Sequence, residues 1–265
     1  MAGTILVRDA IWRLSTLLND VSPQFTRWSE QEIVNYINDA QLAISKFLPA
    51  ANSRIVAVKL KPGTLQSIES VLAADHLIDG AAATATMIGT QVLDILNNMG
   101  VDGLTPGAAV RLATDGRDAM DTVSPNWHTS SGTAVRLFFF DPRTPRNFLV
   151  SPGVHAATAV WVRMALTAQP TRIANTGTPE APVYHIGGGS TVLLSVSDDH
   201  IDDVVNYCAA RCYLKNAQFS ANDPKVATFT ALFTGSLNAK VSALTGNNPN
   251  LQRLPFAPEP IGAAS

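Results

Sequence analysis

The stretch SEQEIVNYINDAQLAISKF, residues 29–47, decides the helical part of the fold. Ser29 and Glu32 have the spacing of a capping box, in which the serine hydroxyl accepts an early backbone N–H and the glutamate reaches back. Apolar residues then recur at helical spacing, and Pro49 closes the segment. These apolar residues are Ile33, Ile37, Ala40, Ile44 and Phe47. The stretch therefore predicts an amphipathic helix that buries one face.

A second apolar stripe precedes this helix. Val7, Ile11, Leu14 and Leu18 fall on one face of a helix, and residues 19–23 interrupt it. Two helices joined by a short loop are expected to pack as an antiparallel pair. Residues 1–50 are therefore predicted to be an N-terminal helix pair.

The middle of the chain, residues 51–196, has the two-residue period of strands. Val56, Val58 and Leu60 alternate before a Pro-Gly turn. Residues 134–140 and 148–150 flank a proline-containing tip and predict a hairpin. Further strands are expected at 158–167 and 191–196, and a short helix between 114 and 127. The pattern leaves the state of the Ala-rich stretch Gly80–Thr90 open.

Helical spacing returns at residues 197–246. Its first apolar face comprises Ile201, Val204, Val205, Cys208 and Cys212. Its second comprises Val226, Phe229, Phe233, Leu237 and Leu244, with Asp223-Pro224 at the start and Gly246 at the end. The proline-rich residues 247–265 are predicted to form an extended tail.

The fold class predicted from this order is α+β. The N-terminal pair (1–50) and the C-terminal pair (197–246) are expected to form one four-helix bundle, because each pair alone buries too little. Residues 51–196 are expected to be an inserted antiparallel β-rich domain, either a sandwich or a barrel.

The composition is poor in charge. Only 15% of the 265 residues are charged, against the usual quarter or so. Such a surface suggests that partners cover part of it. The net charge of −2 gives no basic footprint for wrapping nucleic acid, and no apolar run is long enough to predict a membrane span. Two cysteines fit a reducing cytoplasm better than a disulfide scaffold.

Several residue groups raise the question of a metal or phosphate site. His200 lies among Asp198, Asp199, Asp202 and Asp203, and helix-start carboxylates explain this cluster better than a metal does. Cys208 and Cys212 lack two further zinc ligands and are interpreted as small buried residues. The glycine run at 187–190 is interpreted as a turn, since no lysine and no helix follow it.

Catalytic residues are not predicted. His76, His128, His155 and His185 are scattered, and no nucleophile-elbow or zinc-protease motif accompanies them. A Ser-His-Asp triad assembled in space stays an open alternative. Trp28 and Trp127 are expected in core or interface packing.

An ordered series of short motifs carries a family resemblance. The series is RWS at 27–29, NYINDAQ at 35–41, Pro49, LKPGTLQ at 60–66, NMG at 98–100, SPNWH at 124–128, FDPRTP at 140–145 and FLVSP at 148–152. From about Ile5 to Leu244 the chain resembles the phage adaptor family, the head-to-tail connectors of short-tailed bacteriophages. The Ala-rich stretch Gly80–Thr90 departs from that resemblance.

The resemblance implies a structural protein of the virion without catalytic residues or cofactors. It implies a homo-oligomeric ring, twelvefold in such adaptors, beneath the portal protein. The ring would extend the channel for double-stranded DNA and present a platform for the tail nozzle. Assembly would begin in the host cytoplasm, and no membrane would be involved.

Two segments are expected to make these contacts. The hairpin tip at 141–147 carries Arg143 and Arg146, which would meet a neighbouring subunit or the nozzle; the alternative is a solvated tip. The tail would dock on the portal or an adjacent subunit, because proline lowers the cost of ordering an extended segment. Its candidate interface residues are Pro249, Leu251, Leu254, Pro255, Phe256, Pro258 and Pro260.

Two other functions remain in competition with the adaptor. One is a tail-associated, β-rich protein that binds or hydrolyses a host polymer. Such a protein would usually show a carboxylate pair or an aromatic platform, but only 7% of residues here are aromatic. The other is a monomeric cytoplasmic enzyme, which no sequence motif supports.

Overall fold

The computed structural model describes residues 4–20, 27–113, 116–141, 143–174, 191–215 and 223–246. Its α-helices are α1 (Val7–Leu18), α2 (Glu30–Phe47), α3 (Gly116–Val123), α4 (Ile201–Lys215) and α5 (Asp223–Gly246). Its strands are β1 (Ser53–Lys59), β2 (Gly63–Ser67), β3 (His76–Ile78), β4 (Ala81–Ala82), β5 (Gly89–Asn98), β6 (Arg111–Leu112), β7 (Ser131–Gly132), β8 (Leu137–Phe140), β9 (Asn147–Val154) and β10 (Trp161–Ala168).

The chain divides into two compact units. One contains Met1–Asp9 and Gln41–His200, and therefore all ten strands. The other contains Ala10–Ala40 and Ile201–Ser265, and therefore most of α1 and α2 together with α4 and α5. The fold class is α+β, as predicted.

The strands of the first unit form two sheets. One has the order β4-β3-β1-β10-β5 and is antiparallel throughout; the other has the order β2-β9-β8-β6, with β7 paired to β9. β1 pairs with β10 in unbroken register from Ser53 opposite Thr167 to Lys59 opposite Trp161. β8 and β9 form the predicted hairpin, with Phe140 opposite Phe148.

A single core cluster joins the two sheets face to face. Val56 and Val58 of β1 and Met164 of β10 contribute from one sheet, and Phe138 and Val150 contribute from the other. All of these side chains are buried, and alternate residues of each strand supply them, as expected where one face of a strand points to the core. The β region is therefore a sandwich, which settles the choice that the sequence leaves open.

The helices of the second unit contact one another through α4. The Trp28 Nε1–H, just before α2, donates to the carbonyl of Cys212 at 3.2 Å, and Arg13 of α1 pairs with Asp202 at 3.2 Å. Aromatic rings join α4 to α5, with Tyr207 against Phe233 and Tyr213 stacked on Phe229.

Local predictions in the helical segments agree closely with the structure. The capping box forms in both directions, since the Glu32 N–H donates to Ser29 Oγ at 3.4 Å and the Ser29 N–H donates to Glu32 Oε2 at 3.3 Å. Glu32 also accepts from Lys215 Nζ at 2.5 Å, and this bond lowers the pKa of the Glu32 carboxyl. The stripe of α1 is buried, as is that of α2 except at Phe47, which is 48% exposed beside the helix end.

One predicted strand is wrong. Residues 191–196 form only a single bridge, between Leu193 and Leu6, with the Val7 N–H donating to the Val192 carbonyl. The partner segment turns into α1 at Val7, so pairing cannot continue. The apolar alternation arises instead from burial of Leu194 and Val196.

The Ala-rich stretch starts with a tight hairpin turn. Asp79 and Gly80 both have positive φ, at 51° and 81°, between the paired residues Ile78 and Ala81. This is the turn that Asp-Gly sequences favour between antiparallel strands. β5 then begins at Gly89. None of the helices in the described ranges is both long and apolar enough to cross a membrane.

Candidate functional site

Two backbone hydrogen bonds lie within the hairpin tip between β8 and β9. The Thr144 N–H donates to the Asp141 carbonyl at 3.0 Å, and the Asn147 N–H donates to the Thr144 carbonyl at 2.9 Å. Two successive turns of this kind define the path of the tip without help from long side chains.

Neighbouring strands also hold the tip from both sides. The Ile68 N–H, just after β2, donates to the Arg146 carbonyl at 2.9 Å, and the Val92 N–H of β5 donates to the Pro145 carbonyl at 3.1 Å. The tip is thus joined by hydrogen bonds to β5 of the other sheet. These bonds anchor the backbone of the tip at Pro145 and Arg146.

The two arginines of the tip lie beside separate carboxylates. Arg143 Nε is 3.2 Å from Asp141 Oδ1, and its side chain is 90% exposed. Arg146 pairs with Glu69 at 3.4 Å. The backbone N–H and then the guanidinium of Arg143 lower the pKa of Asp141. These are surface ion pairs, which contribute little stability, so both guanidinium groups are free to exchange partners.

The remaining interface candidates belong to the tail. Pro249, Leu251, Leu254, Pro255, Phe256, Pro258 and Pro260 lie outside the described residues. Docking of the tail stays a prediction.

The acidic cluster at the start of α4 is dispersed among different partners. Asp198 accepts hydrogen bonds from the Thr4 N–H and hydroxyl and from the Ile5 N–H. Asp203 is buried and accepts from Lys240 Nζ at 2.6 Å. No three of the His, Cys, Asp and Glu side chains in the described ranges come together as a metal site. Asp198 instead binds the N-terminal segment at Thr4 and Ile5, and Asp203 binds α5 through Lys240.

Cys208 and Cys212 are free, buried thiols. Burial raises the pKa of Cys212 to about 12 and that of Cys208 well above the ordinary thiol value. Their position in the apolar stripe of α4 confirms the interpretation as small buried residues.

Three of the described histidines make different local contacts. His76 is buried, with Nδ1 2.8 Å from the Leu72 carbonyl. His128 Nε2 is 3.5 Å from Asp121, and His155 Nδ1 accepts from the Ala157 N–H. His185 and the glycine run at 187–190 lie outside the described residues.

The two tryptophans singled out in the sequence are core residues. Trp28 is 1% exposed, and Trp127 is 2% exposed. Trp127 packs against Phe139 at a centroid distance of 4.9 Å, and its Nε1–H donates to Asp121 at 2.7 Å.

A third tryptophan was missed by the sequence reasoning. Trp12 on α1 is 66% exposed, beside Leu17 at 43%. Exposed tryptophans are the side chains most enriched among the strongest interface contacts. The signal was present in the sequence, because Trp12 falls outside the Val7–Leu18 stripe on a helix whose other face is buried.

α5 also presents an unusual outer face. Among its described side chains, at 223–244, only Leu237 is fully buried. Leu232 and Leu244 are each 51% exposed, and the exposed positions between them are almost all alanine, threonine, serine, glycine or asparagine. Leu244, which the sequence places on the apolar face of this helix, is therefore half exposed.

Comparison with known proteins gives one family match. A family model described as SU10 adaptor protein matches residues 7–253. No curated protein matches the chain.

Proposed function

The chain belongs to the SU10 adaptor protein family, a family of phage adaptor proteins, and on that premise we propose that it is a head-to-tail adaptor. In this role it forms a homo-oligomeric ring beneath the portal protein, extends the DNA channel and carries the attachment platform for the tail nozzle. The observation that carries the proposal is the family match, which runs through both compact units.

The exposed apolar side chains support the ring. Trp12, Leu232 and Leu244 are all at least half exposed in the second unit. Apart from Asp223, Lys225 and Lys240, α5 has no charged residue. A ring subunit buries two different side faces against its neighbours, so a charge-poor surface with apolar anchors is what such a subunit needs.

The net charge supports a channel through which DNA passes without being bound. The chain has a net charge of −2. Repeated around a ring, a slight negative charge repels phosphates, and the duplex can then slide without forming tight contacts.

The arrangement within the ring is also part of the proposal. α1, α2, α4 and α5 form a four-helix bundle from residues 1–50 and 197–246, with the bundle toward the portal. The β-rich region 51–196 is its insertion, and the tail 247–265 docks on the portal or an adjacent subunit. The hairpin tip with Arg143 and Arg146 meets a neighbouring subunit or the nozzle.

This role is structural, non-enzymatic and located in the virion, with assembly beginning in the host cytoplasm. It is preferred over a polymer-binding tail protein because the family match concerns adaptors. The direct test is disruption of the gene in a phage that carries it. Heads that package DNA but lack tails, rescued by the gene in trans, support the role; normally tailed particles would refute it.

A further inference from the structure

An open cavity of about 560 Å³ lies at one end of the sandwich. Its walls are the end of β10 with the residues that follow, the stretch 83–88 before β5, and parts of β1 and β3. A volume of this size is ordinary for a small-ligand pocket, about 300–1,000 Å³.

The described residues that line the cavity carry positive charge and no negative charge. Arg54 and Arg172 both line it, together with His76, and no acidic side chain is among the described residues around it. Two other arginines of this unit, Arg143 and Arg146, do lie beside carboxylates. Two arginines that share a cavity without a counter-charge leave its potential positive.

Arg54 is half-buried and starts from the face of β1 that points to the core. It precedes Val56 and Val58 on the same face of β1, and both valines belong to the core between the sheets. Its Nε is buried and has no hydrogen-bond partner among the residues that the structure describes. A buried charged donor without an acceptor costs free energy, so this N–H is prepared for an incoming acceptor.

His76 supplies a second buried polar group. It is 1% exposed, and on β3 it pairs with Val58 of β1. Because the Leu72 carbonyl can only accept, Nδ1 must carry a proton, and Nε2 is left to interact on the other side of the ring. Thr84, Thr86 and Thr171 add hydroxyl groups around the cavity.

From this arrangement we infer that the cavity is an oxyanion-binding site, for a carboxylate or a phosphate group held between Arg54 and Arg172. The planar guanidinium fork matches both kinds of group in a bidentate way, and the hydroxyls complete the donor set. The inference concerns the isolated chain and does not depend on ring formation.

The test follows the Arg Nε–Hε resonances of ¹⁵N-labelled protein by NMR during titration. The probes are inorganic phosphate and N-acetylglutamate methylamide, each at constant ionic strength, with sodium chloride and N-acetylglutamine methylamide as controls. We expect saturable shifts of the Arg54 and Arg172 signals with at least one oxyanion and none with either control. The probe that binds more tightly identifies the source of the oxyanion.

Variants make the assignment specific. Arg172→Gln, at an exposed position, is expected to stay folded and to weaken binding at least tenfold. Arg54→Lys keeps the charge, loses the fork and is expected to weaken binding severalfold. Arg163→Gln, on the outer face of β10, is the matched control and should bind as the native protein does. Absence of saturable binding by both oxyanions, or unchanged binding by Arg172→Gln, would overturn the inference.

Discussion

Lys240 Nζ on α5 lies 2.6 Å from Oδ2 of Asp203 on α4, and the Asp203 side chain is only 1% exposed. This is the most buried ion pair among the described residues, and it fastens a helix in which Leu237 alone, among the described side chains, is fully buried. The Leu237 side chain, about one turn before Lys240 on α5, is fully buried. Together they hold α5 on α4 while its outer face stays exposed.

Removing the cation of this pair should destabilise the protein. Lys240→Met leaves the buried Asp203 carboxylate without its lysine, and we expect the free energy of unfolding to fall by about 3 kcal/mol. The measurement is urea denaturation at neutral pH, followed by circular dichroism. The double variant Asp203→Asn with Lys240→Met should recover much of the loss, since no buried charge remains. A loss no greater than that of an exposed pair, below about 1 kcal/mol, would contradict this assignment.

The thiols of α4 should be protected in the folded protein. Because burial raises the pKa of Cys212 to about 12 and that of Cys208 also well above normal, both thiols stay protonated at neutral pH. At about pH 8.5, we expect iodoacetamide to alkylate them roughly a thousandfold more slowly than in concentrated guanidinium chloride. Mass spectrometry counts the modified sites over time. Similar rates in the two conditions would show that the thiols are not buried.

Trp12 should matter for assembly and not for folding. Trp12→Ala removes a side chain that is 66% exposed, so the midpoint of thermal unfolding should barely change. We expect binding to portal protein, or association between copies, to weaken at least tenfold, or about 1.4 kcal/mol. Sedimentation velocity measures both. Thr16→Ala, one turn along the same exposed face, is the control, and equal assembly by the two variants would refute a contact at Trp12.

The hairpin tip offers a similar comparison. Reversing both charges, Arg143→Glu with Arg146→Glu, should leave the sandwich folded, because the backbone bonds of the tip do not use these side chains. If the tip meets a partner, assembled tails should fall at least tenfold in a complementation assay. Arg111→Glu with Arg163→Glu makes the same charge change at exposed strand positions away from the tip. An unchanged yield with the tip variant means that the tip is solvated.

The sequence predicts those parts of the fold that rest on local patterns. The capping box at Ser29 and Glu32, the stripes of α1 and α4, and the β8–β9 hairpin each depend on residues close together in the chain. Helical and strand periods and turn residues describe such elements directly.

Contacts between residues far apart in the chain cannot be predicted from this single sequence. Nothing in a single chain shows that β1 pairs with β10 more than one hundred residues later, or that the two sheets close on one core. The sequence of the acidic cluster at α4 indicates a helix start, but it does not indicate the individual partners: Asp198 binds Thr4, and Asp203 binds Lys240. Similarly, the oxyanion cavity joins Arg54 to Arg172, which no motif connects.

Mass measurement tests the adaptor role most directly. The purified chain, of 28.1 kDa, is analysed by size-exclusion chromatography with light scattering, first alone and then mixed with the portal protein of its phage. We expect a complex in which a closed ring of copies is bound to the portal, whether or not the chain is monomeric alone. A chain that stays at monomer mass in both samples would contradict it.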